Sequence, residues 1–558
     1  MTKKLLSLLL LLAIMVVAQA KDRTDTEMMG IATAQLKATQ QQKGNRAKAI
    51  KATEIRIAAS NSAYSIYNAE GLGCVIVSRD TAFPPVIGYT DTEFSSTTAL
   101  PCGFKWWLKA VENTLTAKAG NAQMNMQEAS VSFTQVPAFV TTVWGQDTPY
   151  NDQCPAIKKV NAPSGCVATA MSQIMRYHKY PTEGKGTGSY TINNSGIPRS
   201  KTINATYDWN SMIDDYGYAE SPLGTEVQRS AVATLMFDAG AAAKMDYGSD
   251  ASGALSLDAA AGLVDNFSYC EQSVKYYNRE YFSDDEWMAL VYGELQARRP
   301  ILYGGVDNMA GGHAFVLDGI DNNGLVHVNW GWNGSYNGFV DINILNGGGY
   351  SFAYNQDMVI GIKAQKTPDA GDEYRSQWAT DSYTASVGVG SLTITITPHY
   401  NIHYRTFNGD LAICCKANDG TTRLLPVISD DNDIVADITV ESRYGFRPSI
   451  GETMNYTATT NDLPAGTYTM FFASKDRRDT APQPVRCEGG AIYYTLTKAV
   501  NGTLTLSEPQ SNPTAITTPT INKDATNGVY SVDGYFLGKD INKANKGIYI
   551  INGKKIVK

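Results

Sequence analysis

The chain reads as an α+β protein with a β-rich lead before its core and a β-sandwich behind it. Three observations predict this. A run of good helix formers opens at Cys166, directly after Pro163-Ser164-Gly165. Two β-rich runs, 313–320 and 325–330, are joined by Asp321-Asn322-Asn323-Gly324, which is a hairpin turn signal. Beyond residue 374, Thr- and Ile-rich runs recur between turn residues, as strands of a sandwich do. The 558 residues suit several domains at about 150 residues each. A hydrophobic content of 43% with 10% aromatics supports packed cores. The net charge of −7, with no Lys/Arg block, gives no reason to invoke nucleic acid.

The elements follow in order. Lys3 and Lys4, an apolar run over 5–17 and the small residues Ala18-Gln19-Ala20 read as a signal peptide over 1–20. The run is shorter than the ~20 residues a membrane span needs, so the mature chain is expected to be exported without a transmembrane segment. The Ala-, Lys- and Gln-rich stretch 21–60 reads as an exposed helical or mobile lead. Runs at 63–68 and 74–80 with Gly71 and Gly73 between them read as a hairpin, continued by 86–89. The polar stretch 119–130 reads as an activation linker. Helices are expected over 166–177, 227–243 and 287–297, a linker over 366–373, and strands at 391–397, 411–415 and 466–472. A Ser/Thr/Pro-rich spacer at 507–520 precedes a short tail of strands turned at Gly528, Gly534, Gly547 and Gly553.

The candidate chemistry centres on Cys166. A thiol at a helix N-terminus meets free N–H groups and the positive end of the macrodipole, which favour the thiolate nucleophile. Cys154 is the competing nucleophile, but it is followed by Pro155 and opens no helix. The other six cysteines, the adjacent Cys414 and Cys415 among them, read mostly as buried small hydrophobes. Of five histidines, His313 alone follows two glycines, and it lies 147 positions after Cys166. It is the candidate base. His178 is too far along the Cys166 helix, and His327 is the alternative. Asn329 is the candidate group to orient the His313 ring through its amide oxygen. No His-Glu-x-x-His, zinc-spaced Cys/His cluster or P-loop occurs, so no metal or cofactor is expected.

Trp144-Gly145-Gln146, Tyr150-Asn151, Gly165-Cys166-Val167-Ala168-Thr169-Ala170-Met171, Gly311-Gly312-His313-Ala314 and Val328-Asn329-Trp330-Gly331-Trp332 occur in that order. Together they resemble the streptopain family of secreted bacterial cysteine peptidases. The resemblance spans roughly 131–365 and implies a papain-like peptidase domain, protein or peptide substrates, and a β-rich propeptide that inhibits its own enzyme. It further implies Gln146 as an oxyanion donor beside the Cys166 N–H, Trp330 as a shield over the His313 hydrogen bond, and Trp332 as a pocket wall. The loop holding Gly248, Ser249 and Ser252, with Gly312, would face substrate. The tail resembles the C-terminal sorting domain of the type IX secretion system of Bacteroidetes, which implies export machinery as a partner and a secreted or surface location. The expected division is therefore a signal peptide at 1–20, a propeptide at 21–130, the peptidase at 131–365, a sandwich at 374–506 and a sorting domain at 517–558. Two other readings stay open. One is a surface-binding β-protein with a degenerate peptidase domain, against which the intact Cys166, His313 and Asn329 argue. The other is an amidase or acyl transferase using the same thioacyl chemistry.

Overall fold

A ten-stranded antiparallel sheet joins two segments that the sequence keeps apart. The computed structural model describes residues 22–42, 54–118, 133–307, 311–343, 356–430, 435–446 and 452–511, and four short strands between 529 and 557. The expected signal peptide, the linker at 119–130 and most of the 507–520 spacer lie outside the described residues.

The lead is not a solvated arm. It forms α1 (Asp25–Gln42), and its Met28, Ala32 and Leu36, four apart, lay one apolar stripe on the strands that follow. Arg23 fixes the entry to this helix by donating to the carbonyls of Ser78 (3.1 Å), Asp80 (2.5 Å) and Phe83 (2.7 Å). Thr24 and Glu27 close a capping box, Glu27 N to Thr24 Oγ1 at 3.2 Å and Thr24 N to Glu27 Oε2 at 2.7 Å. Strands β1 (Ile55–Ser60), β2 (Tyr64–Ala69), β3 (Gly73–Ser78) and β4 (Val86–Thr90) then form a meander, with the expected hairpin at β2–β3. The segment is less purely β than expected. Its aromatic run at 104–107 lies in a helix, α2 (Cys102–Lys118), because Phe104, Trp107, Leu108 and Val111 share a helical face packed on the sheet.

The next part supplies α3 (Cys166–His178), α4 (Glu226–Ala242), α5 (Ser256–Asp265), β5 (Lys275–Asn278), α6 (Asp284–Gln296), β6 (Ile301–Asp307), β7 (Gly311–Ile320), β8 (Val326–Asn329), β9 (Gly338–Val340) and β10 (Gln356–Ile360). The three expected helices appear within a few residues of their predicted ends. Capping boxes at Thr225/Gln228 and Ser283/Glu286 start α4 and α6, and Lys179 in the left-handed region ends α3. The sheet order is β1-β2-β3-β4-β9-β8-β7-β6-β10-β5. Its join is β4 on β9, with Gly88, Tyr89 and Thr90 opposite Val340, Phe339 and Gly338. On one face, Leu302, Ala314, Val316 and Val359 pack with Val167, Met171, Leu235 and Leu263 of α3, α4 and α5. On the other, Tyr303, Phe315 and Leu317 pack with Trp106, Trp107 and Val111 of α2 and Trp287 of α6. The lead and the core therefore share one hydrophobic interior.

Beyond an exposed stretch without helix or strand at 366–373, the sandwich forms as expected. One layer holds β11 (Tyr383–Gly388), β12 (Ser391–Ile396) and β14 (Met454–Thr459); the other holds β13 (Phe407–Ala417), β15 (Gly466–Asp476) and β16 (Gly490–Lys498). Leu392, Ile394 and Tyr456 meet Leu411, Ile413 and Phe472 between them. Arginine side chains dock the sandwich, Arg405 and Arg486 most closely. Arg405 donates to Asp265 (2.7 and 2.8 Å) and Glu271 (2.9 Å), and Arg486 to Glu286 (2.8 Å) and the Tyr281 carbonyl (2.6 Å). The tail is a separate four-stranded antiparallel sheet of Val529–Ser531, Phe536–Gly538, Ile548–Ile551 and Lys554–Val557. All eight cysteines are free thiols.

Candidate active site

Gly165 turns the chain into α3 with φ +88°. A side chain there would strike Met245 Cε at 2.6 Å and crowd the Ser252 carbonyl at 3.2 Å, so only glycine lets the two loops meet. Cys166 follows as the first helical residue and is half-buried. His313, 7% exposed, faces it from β7, and each of the two groups favours the charged form of the other. Burial alone would raise the Cys166 pKa. The charge and hydrogen bond of His313, with the Ala314 and Val167 amides, outweigh it and hold the thiol below its ordinary value. His313 shows the converse. Burial pulls its pKa down, but Cys166 and the Trp330 carbonyl lift it above the ordinary imidazole value. Both directions favour a thiolate–imidazolium pair, ready for nucleophilic attack and proton transfer.

The competing residues are placed elsewhere. Burial pushes the Cys154 thiol up to about 12, which leaves it protonated and inert. His327 sits opposite Gly319 in the β7–β8 ladder, six residues along the strand from His313, or about 20 Å. It is paired with buried Asp318 at 2.5 Å, and Asp318 also accepts from the Phe139 and Val140 amides. Burial holds His178, at the far end of α3, down to about 4.

The expected contact between Asn329 and His313 is not formed. The His313 ring instead hydrogen-bonds through Nε2 to the Trp330 carbonyl at 3.1 Å. Asn329, 1% exposed, donates to the Thr142 carbonyl (2.6 Å) and Gln173 Oε1 (3.1 Å) and accepts from Gln173 Nε2 (3.3 Å) and the Gly331 amide (3.1 Å). The physical reason is strand geometry. Asn329 is opposite Val316, three residues past His313, so its side chain is spent below the Cys166–His313 pair and holds the backbone of Trp330. Gln173 and Asn337 complete this support, the latter accepting from the Trp330 amide at 3.0 Å. Sequence reading missed both. The signal for Gln173 was available: it lies two helical turns beyond Cys166, on the same face of α3.

Gln146 is tied to the turn before Cys166 through its carbonyl, which accepts from the Ser164 amide at 2.9 Å. Trp330 is fully buried, its indole N–H donating to the Tyr336 carbonyl at 2.8 Å, and Trp332 is partly buried on the same apolar cluster. The loop with Gly248, Ser249 and Ser252 is closed by paired backbone bonds between Asp246 and Gly253 (2.8 and 3.0 Å), which brings Ser252 against Gly165. Gly312 precedes the histidine in β7, opposite Val306.

The lead covers this centre. A Cβ built on Gly103, at the start of α2, would lie 2.3 Å from His313 Cδ2 and 2.6 Å from the Trp330 ring. Trp106 fills the space above Gly305, the β6 residue opposite His313.

Fold and centre together define a papain-like cysteine peptidase held under an N-terminal inhibitory segment. Residues 144–340 match the Peptidase C10 family, and residues 21–115 match the Spi protease inhibitor family. Streptopain of Streptococcus pyogenes is 34% identical over 335 residues, covering 54% of this chain and 81% of that protein. The thiol protease/hemagglutinin PrtT of Porphyromonas gingivalis is 32% identical over 317 residues, covering 52% of this chain and 36% of that protein. The structure of a prointerpain A fragment from Prevotella intermedia superposes with a TM-score of 0.50 at 38% identity, over 56% of this chain and 99% of that one. The chain belongs to the streptopain family, Peptidase C10. It is a cysteine peptidase that carries its inhibitory prodomain in the same polypeptide.

Proposed function

We propose that Cys166 is the nucleophile and His313 the proton carrier of this zymogenic endopeptidase. The Cys166 thiolate attacks the scissile carbonyl carbon, and the tetrahedral oxygen is held by the Cys166 N–H and the Gln146 side chain. The C–N bond then breaks as the His313 imidazolium gives its proton to the leaving amine. Water, deprotonated by His313, attacks the thioester carbon and the sulfur leaves as thiolate. Trp330 keeps water from the His313 hydrogen bond and positions the ring through its carbonyl. The observation that carries this reading is Cys166 at the start of α3 with His313 of β7 beside it, the thiol shifted down and the imidazole up.

Latency follows from Gly103 and Trp106 lying over His313 and β6. Cleavage between 118 and 137 would end the prodomain and leave a peptidase domain close to 131–365, with the sandwich at 374–506 docked on it. The signal-like 1–20 would export the chain, and the tail at 517–558 would hand it to a type IX machinery for release or surface display. No helix among the described residues is long and apolar enough to cross a membrane. The test is mass spectrometry of the purified chain incubated with casein, with and without a thiol alkylator. Casein cleavage blocked by adduct formation on Cys166 supports the assignment, and cleavage that survives complete Cys166 alkylation overturns it.

A further inference from the structure

The loop that begins at Trp330 touches both sides of the reaction centre. Its first carbonyl, that of Trp330, holds the His313 ring. Gly331, with φ +67°, passes α3, where a Cβ would lie 3.1 Å from Thr169 Cγ2. The turn 332–335 is closed by the Ser335 amide on the Trp332 carbonyl at 3.0 Å and lies along residues 143–145. A Cβ on Gly334 would be 3.1 Å from Val143. One on Gly145 would be 2.4 Å from Asn333 Oδ1, 2.8 Å from its Cγ and 2.9 Å from its Nδ2. The whole Asn333 amide is therefore pressed against the backbone that leads into Gln146.

Two features of Asn333 call for a physical reason. Its backbone is left-handed, with φ +50°. Glycine would adopt that conformation without strain, so what asparagine adds is its amide. The Oδ1 of that amide is buried and has no hydrogen-bond partner among the described residues. A buried acceptor left unpaired is costly, which marks a place where a donor arrives.

Gln146 can supply that donor. The backbone of 144–146 is already fixed: the Trp144 amide donates to Gln173 Oε1 (3.3 Å), the Thr169 hydroxyl to the Gly145 carbonyl (3.3 Å) and the Ser164 amide to the Gln146 carbonyl (2.9 Å). What remains to be aimed is the Gln146 side chain, which is half-buried. Its amide nitrogen carries two N–H bonds. One can be spent on an acceptor in the wall while the other faces the tetrahedral oxygen.

We propose that Asn333 is the positioning residue for Gln146. Its amide oxygen accepts one N–H of the Gln146 side chain as substrate binds, and so directs the other at the tetrahedral oxygen. This rests on the reading of Gln146 as an oxyanion donor. A single loop then sets both halves of the chemistry, the base through the Trp330 carbonyl and the oxyanion donor through Asn333.

The test uses the full chain after its own processing and the variant Asn333→Gly, which keeps the left-handed turn and removes only the amide. The expected result is a kcat lower by about tenfold or more at little-changed KM. A peptide aldehyde, whose carbonyl carbon takes up the Cys166 sulfur and leaves its oxygen in the same place, should bind more weakly by a similar factor. Iodoacetamide, which loses iodide and builds no such oxygen, should alkylate Cys166 at the unaltered rate. In a Gln146→Ala background, Asn333→Gly should have no further effect. Unchanged kcat and aldehyde affinity in Asn333→Gly overturn the proposal, as does an undiminished loss in the Gln146→Ala background. Slower alkylation in Asn333→Gly places the effect on His313, through the Trp330 carbonyl, and also overturns it. Full kcat in Gln146→Ala overturns the oxyanion reading itself, and the proposal falls with it.

Discussion

The side-chain amides of Asn329 and Gln173 face each other, with Asn329 Nδ2 3.1 Å from Gln173 Oε1 and Gln173 Nε2 3.3 Å from Asn329 Oδ1. Neither hydrogen-bonds to His313. Both reach it through the backbone at Trp330, whose carbonyl is the ring's partner. Asn329→Ala and Gln173→Ala should therefore each lower kcat with little change in KM. Because they remove one shared support, the double variant should be scarcely worse than the poorer single, a coupling of about 1–2 kcal/mol. Additive losses would show that the two side chains act separately.

Cys166→Ala should fold normally and cut nothing, because the thiol supplies chemistry more than packing. If maturation is autolytic, this variant accumulates as the uncut chain. An epoxysuccinyl inhibitor should label Cys166 in the active protein and spare Cys154, whose burial keeps it protonated. Labelling confined to Cys154 would reverse the assignment.

The two histidines separate cleanly. His313→Ala should cost orders of magnitude in turnover, while His327→Ala leaves a working reaction centre about 20 Å away. His327 gains its raised pKa from Asp318, against the opposing effect of burial. A raised folded pKa stabilises fully below the unfolded value and is lost as pH rises through the folded one. Thermal unfolding should thus show His327→Gln losing stability relative to the unaltered chain most at pH 5–6 and least at alkaline pH.

The proposed Cys166–His313 pair should set its own pH profile. Cys166 is shifted down and His313 up, so kcat/KM should rise with pH through the lowered thiol value and fall through the raised imidazole value. Alkylation of Cys166 at pH 6 should be fast in the active chain and slow in His313→Gln, where the thiolate loses its counter-charge. An unchanged alkylation rate would mean that the helix terminus alone activates the thiol.

Gly103 makes the prodomain contact intimate. Gly103→Val places carbon atoms where His313 and Trp330 already lie, so the start of α2 must lift. The variant chain should process earlier, and its released prodomain should inhibit the mature enzyme more weakly. Normal inhibition would show that Trp106 and the sheet join suffice without the Gly103 contact.

Much of this was legible in the sequence because it is local. Gly165-Cys166 before a helical run, the glycines before His313 and the Asp321–Gly324 turn are each written in adjacent residues. What was not legible depends on contacts far apart in the chain. The amphipathic stripe of Met28, Ala32 and Leu36 has meaning only once β2 and β3 lie beneath it. The aromatic run in α2 has strand-like composition, and packing decides for the helix. Asn329 is one residue from the true ring partner, and only the β7–β8 register tells a side-chain amide from its neighbour's carbonyl.

The β4–β9 ladder changes what maturation means. Cutting the chain near residue 130 severs the covalent link but none of the hydrogen bonds between Gly88–Thr90 and Gly338–Val340. The shared cluster of Trp106, Trp107, Phe315 and Trp330 is equally untouched by the cut. A nicked molecule is then a tight complex of two chains rather than a free enzyme, and its separation obeys mass action. Activity should appear on dilution, lagging behind the cut seen on a gel, and sooner when the liberated piece is itself degraded. The cell would then set the enzyme's working concentration by how quickly it clears the discarded fragment.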